Sequence, residues 1–420
     1  MSQYIIENNG PLNGTISISG AKNSVLGLIA ATILSDEDIE LTNVPNVSDV
    51  HNLLETMKIL GTKYKFDTKK HILLINNSNI NPSIKLDFDS VKKIRASYYL
   101  LGALLGRFKQ AAISLPGGCN IGSRPIDLHL KGFEKLGANI KLDKGIIYAQ
   151  ANQLIGNFIY LDFPSVGATI NIILASVLAN GITTILNVAK EPHILDLIEL
   201  LNKMGAKITL KENDIVINGV SKLHSTSHKV IPDQIETGTF LIAGAITKGN
   251  ITLENVNPID LKCITAKLIE MGCSINSFNN LITIDARNII LNPTNITTGP
   301  YPSFPTDMQP QFATLLGIAN GVSVLNDNIF ENRFCYIDEL TRMGANMKLY
   351  GTTNVIKGVK QYKGAKVSSH DLRAGAALVL AGLSANGTTI VENVHFIKRG
   401  YENFVEKLTQ LKAKIKEIKD

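Results

Sequence analysis

One short phrase recurs six times along this chain and limits the folds open to it. It reads Ile59-Leu-Gly-Thr-Lys-Tyr-Lys, Lys135-Leu-Gly-Ala-Asn-Ile-Lys, Lys203-Met-Gly-Ala-Lys-Ile-Thr, Glu270-Met-Gly-Cys-Ser-Ile-Asn and Arg342-Met-Gly-Ala-Asn-Met-Lys, with a degenerate sixth copy, Gln410-Leu-Lys-Ala-Lys-Ile-Lys. Its third residue falls at 61, 137, 205, 272, 344 and 412, so the copies lie 76, 68, 67, 72 and 68 residues apart. Self-similarity at a nearly fixed period marks a chain built from one repeated supersecondary unit. In each copy an amphipathic pattern ends at the glycine and a strand pattern follows. That predicts an outer helix closed by glycine in the left-handed region, then a strand. Lys412 takes the glycine's place in the last copy, at some cost in backbone strain.

A second phrase lies upstream in each unit: a small-residue apolar helix, a turn, then a strand. Residues 174–188, 240–256 and 378–394 show it most clearly, and 24–44, 96–115 and 312–325 fit with variation. These helices are apolar nearly all round, which predicts that they are buried. With 45% hydrophobic and only 19% charged residues, the chain can supply such an interior. The economical arrangement packs the buried helices together, with sheets and outer helices around them. Six units in 420 residues then make an α/β protein of two three-unit domains, with residues 229–236 as the candidate crossover.

Composition removes several classes of function. The net charge of +6 has no concentrated basic tract, which suits anionic small molecules better than nucleic acid. The cysteines at 119, 263, 273 and 335 form no CxxC pair and the eight histidines are scattered, so no metal centre is expected. The longest apolar run, 25–34, is too short to span a bilayer, and no signal peptide is evident. A cytoplasmic location is the expectation.

Polar residues gather just before the buried helices: Ser19-Gly-Ala-Lys22-Asn23, Lys92-Lys93-Ile-Arg95, Pro164-Ser165-Val166-Gly167-Ala-Thr169, Asp233-Gln-Ile-Glu236-Thr237, Phe304-Pro-Thr-Asp307-Met-Gln309 and Asp371-Leu-Arg373. Helix starts carry unpaired N–H groups and partial positive charge, so several of them facing one cleft would bind anions. Lysine or arginine at such a start opposes the helix dipole, and a placement that costs stability hints at function. Ser165, Thr237 and Asp307 can equally be plain N-caps. Arg333 and Arg399 each lie in a polar break and extend the cationic set.

The loop 115–129, Leu-Pro-Gly-Gly-Cys-Asn-Ile-Gly-Ser-Arg-Pro-Ile-Asp-Leu-His, is rich in chemistry and poor in packing. Cys119 is either a buried structural thiol or a reactive one. Arg124, if close, would favour the thiolate or hold an anionic substrate beside it.

Together these residues resemble the bacterial UDP-N-acetylglucosamine 1-carboxyvinyltransferases, enolpyruvyl transferases of peptidoglycan synthesis. The motifs run in order along the chain: SGAKN (19–23), the Cys119 loop, SVGAT (165–169), AKEP (189–192), PDQIETGTF (232–240), FPTDMQ (304–309), FENRF (330–334), DLRA (371–374) and RGYE (399–402). The resemblance implies two inside-out α/β barrels of three units each, one over residues 22–232 with the Cys119 loop, the other over 1–21 plus 233–420 with Asp307. It implies transfer of the enolpyruvyl group of phosphoenolpyruvate to the 3′-hydroxyl of UDP-N-acetylglucosamine, with release of phosphate and no cofactor. Cys119 is then the proton donor and Asp307 the base, with Lys22 and Arg399 also catalytic. Phosphoenolpyruvate falls to Lys22, Asn23, Arg124, Asp371, Arg373 and Arg399. The sugar nucleotide falls to Asn23, Arg95, Arg124, Pro125, Ile126, Asp127, Leu128, Phe163, Pro164, Ser165, Val166, Asp307 and Ile329. The two substrates are the only partners implied, with no nucleic acid, membrane or obligate protein partner. The same resemblance points to phosphonate epoxides of the fosfomycin type as alkylators of Cys119. His395-Phe396 and Phe163-Pro164 depart from the pattern of some members. The alternatives are the shikimate-pathway enolpyruvyl transferase, which lacks the Cys loop, and an inactive sugar-nucleotide-binding regulator, against which the retained Lys22, Cys119, Asp307, Arg373 and Arg399 argue.

Overall fold

The computed structural model describes residues 2–91, 95–115 and 126–418, with the backbone alone at Ser90 and Arg95. The expected corners are present at each repeat. Outer helices Ser48–Leu60, Asp127–Lys135, Pro192–Lys203, Lys262–Glu270, Tyr336–Arg342 and Phe404–Gln410 are each followed by a left-handed residue. These are Gly61, Gly137, Gly205, Gly272 and Gly344, with φ between 90° and 108°, and Lys412 at 75°. A strand starts two residues after each: Lys63–Asp67, Asn139–Asp143, Lys207–Lys211, Ser274–Phe278, Asn346–Tyr350 and Lys414–Ile418.

The apolar phrases form buried helices, as their sequence requires. They are Lys22–Ala31, Tyr99–Phe108 and Val166–Ser176 in the first half, and Gln234–Ile246, Gln309–Leu316 and Leu372–Ser384 in the second. All thirteen residues of Leu372–Ser384 are buried. Each fully buried Leu, Ile or Val stabilises the fold by roughly 1.5–3 kcal/mol relative to exposure. Small residues let these helices touch. A Cβ on Gly102 would strike the Asn171 carbonyl oxygen, and one on Gly106 would strike that of Leu174. Helix Tyr99–Phe108 therefore lies against Val166–Ser176 at a distance open only to glycine.

Each unit follows the order strand, central helix, strand, outer helix, hairpin, and folds into one small mixed sheet. In the third unit Phe158–Tyr160 runs parallel to Ile182–Leu186, which pairs antiparallel with Asp214–Asn218, itself antiparallel to Lys207–Lys211. Six such sheets occur among the described residues, five of four strands and one of three. In the three-stranded sheet a single bridge, Leu86 to Ile113, stands where the parallel strand would be.

The chain divides into two compact units, each with its own hydrophobic core. The described residues of one are 2–19 and 232–418, and of the other 20–91, 95–115 and 126–231. Strand exchange explains this division. Asn13–Ser17 directly precedes helix Lys22–Ala31 but pairs with Asn250–Glu254, while Thr226–Lys229 precedes helix Gln234–Ile246 but pairs with Ile39–Thr42. Gln3–Glu7 supplies the hairpin strand of the sixth unit, between Thr388–Glu392 and Lys414–Ile418. Among the described residues no helix is long and apolar enough to cross a membrane.

Candidate active site

In the unit holding residues 232–418, the segment before helix Gln309–Leu316 forms a 3₁₀ turn, Thr306–Met308. Asp307 is not an N-cap; its side chain makes no cap hydrogen bond there. It meets two guanidinium groups instead. Arg333 Nη2 lies 2.7 Å from Oδ1 and Arg373 Nη2 2.9 Å from Oδ2. The arginine side chains are 4% and 3% exposed against 26% for the aspartate, so a partly exposed carboxylate rests on two buried cations. Burial alone would pull Arg373 down; the Asp307 carboxylate, then Tyr401, push it the other way, and the net direction is up. Arg373 also lies 5.4 Å over the Tyr401 ring, whose hydroxyl is 2.8 Å from Thr239 Oγ1 and 3.2 Å from Gln311 Nε2. Two guanidinium groups thus share one carboxylate, through charge-assisted hydrogen bonds.

Asp371 is the N-cap of helix Leu372–Ser384. Its Oδ1 accepts from Arg373 N at 2.7 Å and Ala374 N at 3.0 Å. Its Oδ2 accepts from the Cys335 thiol at 3.1 Å. Cys335 precedes helix Tyr336–Arg342, against Asp371 and beside Arg333. Burial, then Asp371, push its thiol up; Arg333 opposes without reversing the shift. Burial pushes Cys273 up to about 12 and raises Cys263 as well. Thr237 is also not an N-cap. Asp233 holds that position on helix Gln234–Ile246, and Thr237 donates to the Asp233 carbonyl.

Ile329 lies on the turn after strand Val322–Asn326, where its N–H donates to Asp327 Oδ1 at 2.9 Å. Arg399 ends the 3₁₀ turn Ile397–Arg399 and is half-buried. His395 is exposed and its ring centroid lies 4.2 Å from that of Phe396.

In the other unit, Lys22 and Asn23 open helix Lys22–Ala31, whose N-cap, Ala21, offers no side-chain acceptor. Lys22 Nζ lies 3.1 Å from Asp49 Oδ2 on the outer helix Ser48–Leu60, and the Asp49 side chain is only 1% exposed. Ser24 Oγ donates to buried Asp196, which also binds His228 Nε2 at 2.7 Å. Ser165 is the N-cap of helix Val166–Ser176, accepting from Ala168 N at 3.3 Å. Phe163 is exposed beside half-buried Pro164 and Val166. Ile126, Asp127 and Leu128 stand at the start of helix Asp127–Lys135. Cys119, Arg124 and Pro125, like Lys92 and Lys93, lie outside the described residues, as does the Arg95 side chain.

Of the expected site residues, Asp307, Asp371 and Arg373 form one bonded cluster and Lys22 with Asn23 one helix start. Sequence reading missed Asp49, Asp327 and Tyr401. For Asp49 a signal existed: it lies on the buried face of an amphipathic helix with Val50, Leu53, Leu54 and Met57.

Comparison with known proteins decides the family. The chain is 48% identical over 416 residues to UDP-N-acetylglucosamine 1-carboxyvinyltransferase 2 of Bacillus cereus, covering 99% of this chain and 96% of the relative. The chain belongs to the UDP-N-acetylglucosamine 1-carboxyvinyltransferase family. The Clostridium botulinum UDP-N-acetylglucosamine 1-carboxyvinyltransferase is 47% identical, covering 99% of both chains. The wider family described as EPSP synthase (3-phosphoshikimate 1-carboxyvinyltransferase) matches residues 6–408. Among solved structures, the enolpyruvyl transferase NikO from Streptomyces tendae superposes with a TM-score of 0.90 at 25% identity, covering 99% of this chain and 98% of that one. EPSP synthase from Acinetobacter baumannii superposes with a TM-score of 0.76 at 18% identity over the whole of both chains. The chain thus has the mixed α/β fold of the enolpyruvyl transferases, with six small sheets among its described residues.

Proposed function

We infer that this chain transfers the enolpyruvyl group of phosphoenolpyruvate to the 3′-hydroxyl of UDP-N-acetylglucosamine and releases phosphate, supplying a precursor of peptidoglycan. The observation that carries this reading is the 47–48% identity, along 99% of the chain, to 1-carboxyvinyltransferases of that sugar nucleotide. The six-unit architecture fits two inside-out α/β barrels, 22–232 and 1–21 plus 233–420, with the central helices as their interiors. The activity places the chain in the cytoplasm, with its two small-molecule substrates as partners.

The residue roles are those that the family resemblance implies, and the chemistry agrees with their charge. Phosphoenolpyruvate and a nucleoside diphosphate sugar are both polyanions, so bringing them together needs fixed cations. Lys22, Asn23, Arg124, Asp371, Arg373 and Arg399 take the donor. Asn23, Arg95, Arg124, Pro125, Ile126, Asp127, Leu128, Phe163, Pro164, Ser165, Val166, Asp307 and Ile329 take the acceptor. In the addition step the Cys119 thiol protonates the methylene carbon of phosphoenolpyruvate and the sugar hydroxyl bonds to C2, giving its proton to Asp307. The product is a tetrahedral ketal carrying both substrates. In the elimination step the C2–phosphate bond breaks, a methyl proton returns to base, and the enol ether forms. No step calls for a metal or redox group.

Phosphate release measured with UDP-N-acetylglucosamine or 3-phosphoshikimate as acceptor tests the reading. Turnover with the sugar nucleotide alone is expected. Turnover with 3-phosphoshikimate alone would transfer the chain to the shikimate reaction, and binding of the sugar nucleotide without turnover would make it a regulator.

A further inference from the structure

The residue that ties the Asp307 turn to the Ile329 turn is neither of them. Asp327 follows strand Val322–Asn326 and is 1% exposed. A buried carboxylate is costly unless its lone pairs are occupied, and here four donors occupy them. Oδ1 accepts from Thr298 Oγ1 at 2.7 Å, Ile329 N at 2.9 Å and Phe330 N at 3.2 Å. Oδ2 accepts from Thr306 Oγ1 at 2.7 Å. Thr306 precedes Asp307 in its 3₁₀ turn and accepts in turn from Arg333 Nη1 at 3.1 Å, while Arg333 Nη2 holds Asp307. The donors run in one direction: Arg333 to Thr306 to Asp327. That direction requires a pure acceptor at its end, which a carboxylate is and an amide is not. Thr298 closes the other side, since its Oγ1 also accepts from Asn328 N at 3.1 Å.

We propose that Asp327 is a positioning residue for the transfer: its buried carboxylate holds the Asp307 carboxylate and the Ile329–Phe330 backbone at a fixed separation. It touches neither substrate. It acts through Thr306 on the group that takes the hydroxyl proton and through two backbone N–H groups on the turn proposed to meet the sugar nucleotide. The inference rests on the roles given above to Asp307 and Ile329. A displacement of about 1 Å in such a frame is enough to cost about a hundredfold in rate, so loss of one hydrogen bond of four is expected to cost less, about tenfold.

The test compares Asp327→Asn with wild type, alone and in an Asp307→Ala background, together with Thr306→Ser and Thr306→Val. Steady-state kinetics with each substrate varied and thermal melting are the readouts. Asp327→Asn should lower kcat about tenfold and raise KM for UDP-N-acetylglucosamine, with KM for phosphoenolpyruvate unchanged. Thr306→Ser should keep wild-type kcat and Thr306→Val should lose as much as Asp327→Asn. In Asp307→Ala, the Asp327→Asn change should cost no further kcat, because the group it positions is gone. A purely structural role predicts a lowered melting temperature, an equal loss of kcat in both backgrounds and unaltered KM values, and that pattern would overturn the proposal. So would wild-type kinetics in Asp327→Asn. Full turnover by Asp307→Ala alone would instead remove Asp307 as the base and with it the half of the proposal that concerns Asp307. A raised sugar-nucleotide KM in Asp327→Asn would then still support the half that concerns Ile329.

Discussion

The two units each carry a partly exposed charge on a buried counter-charge, with opposite signs. In one, the Asp307 carboxylate rests on the guanidinium groups of Arg333 and Arg373; in the other, the Lys22 ammonium, 14% exposed, rests on the Asp49 carboxylate. The difference lies in what the buried partner does when abandoned. A carboxylate can discharge itself by taking up a proton, but a guanidinium in a protein cannot do so by giving one up. Asp307 is therefore the structural keystone of its cluster as well as a functional candidate, whereas Lys22 can be removed at a smaller cost to the fold.

The largest expected effect falls on Asp307. Asp307→Ala should reduce turnover about a hundredfold or more while weakening sugar-nucleotide binding far less, because a base acts chiefly in the transition state. It should also destabilise its unit by about 3 kcal/mol, since two buried cations lose the carboxylate they share. Asp307→Asn keeps an acceptor oxygen, so it should melt closer to wild type yet be equally inactive. Calorimetry and rates on the pair separate the two roles; near-normal turnover in either removes Asp307 from the chemistry.

Next comes the phosphate side. A small phosphonate epoxide should alkylate Cys119 and spare Cys263, Cys273 and Cys335, whose thiols are all shifted up by burial and so stay protonated at neutral pH. Lys22→Ala should slow this labelling at least about tenfold, because the cation that places the phosphonate is lost; Asp307→Ala should leave it within about twofold. Cys119→Asp should resist the epoxide and retain some turnover, since a carboxylic acid still donates a proton, and Cys119→Ser should retain little. Peptide mapping by mass spectrometry reads each outcome, and label on any other cysteine would contradict the assignment of Cys119.

A smaller effect tests the counter-charge. Lys22→Ala should cost about 1–3 kcal/mol by taking the paired ammonium from buried Asp49, and adding Asp49→Asn should restore most of that without restoring activity. Additive losses in chemical denaturation would mean that the two side chains are not coupled. The smallest effect belongs to a helix start of the ordinary kind. Asp233 caps Gln234–Ile246 through Ile235 N at 2.8 Å and Glu236 N at 2.9 Å, so Asp233→Ala should cost about 1 kcal/mol.

Local rules made part of this molecule legible. The six corners follow from a glycine, or Lys412, at a helix end, and the six central helices from apolar runs without a polar face. Those signals lie within one turn of chain, where sequence and conformation are coupled directly. What stayed hidden depends on distant partners. Nothing near Gln3–Glu7 and Asn13–Ser17 reveals that two strands only six residues apart join different sheets, beside partners more than two hundred residues away. Asp307, Thr237 and Ser165 all read as possible caps, yet only Ser165 is one, because two buried arginines from elsewhere in the chain claim Asp307 and Asp233 displaces Thr237. No local pattern shows that Cys335 lies against a candidate site residue, Asp371.

The place of Gln3–Glu7 also bears on how the protein is made. The strand leaves the ribosome well ahead of its neighbours, Thr388–Glu392 and Lys414–Ile418, which lie about 380 to 415 residues further along the chain. At roughly 5–20 residues per second, it waits on the order of 20 to 80 s for them. The other unit waits less, because Thr226–Lys229, the partner of Ile39–Thr42, follows it by fewer than two hundred residues. Synthesis thus delivers one unit complete while the other still lacks the strands that close its sheets, and an unpaired Gln-Tyr-Ile-Ile-Glu segment stays open throughout to whatever binds nascent β-strands.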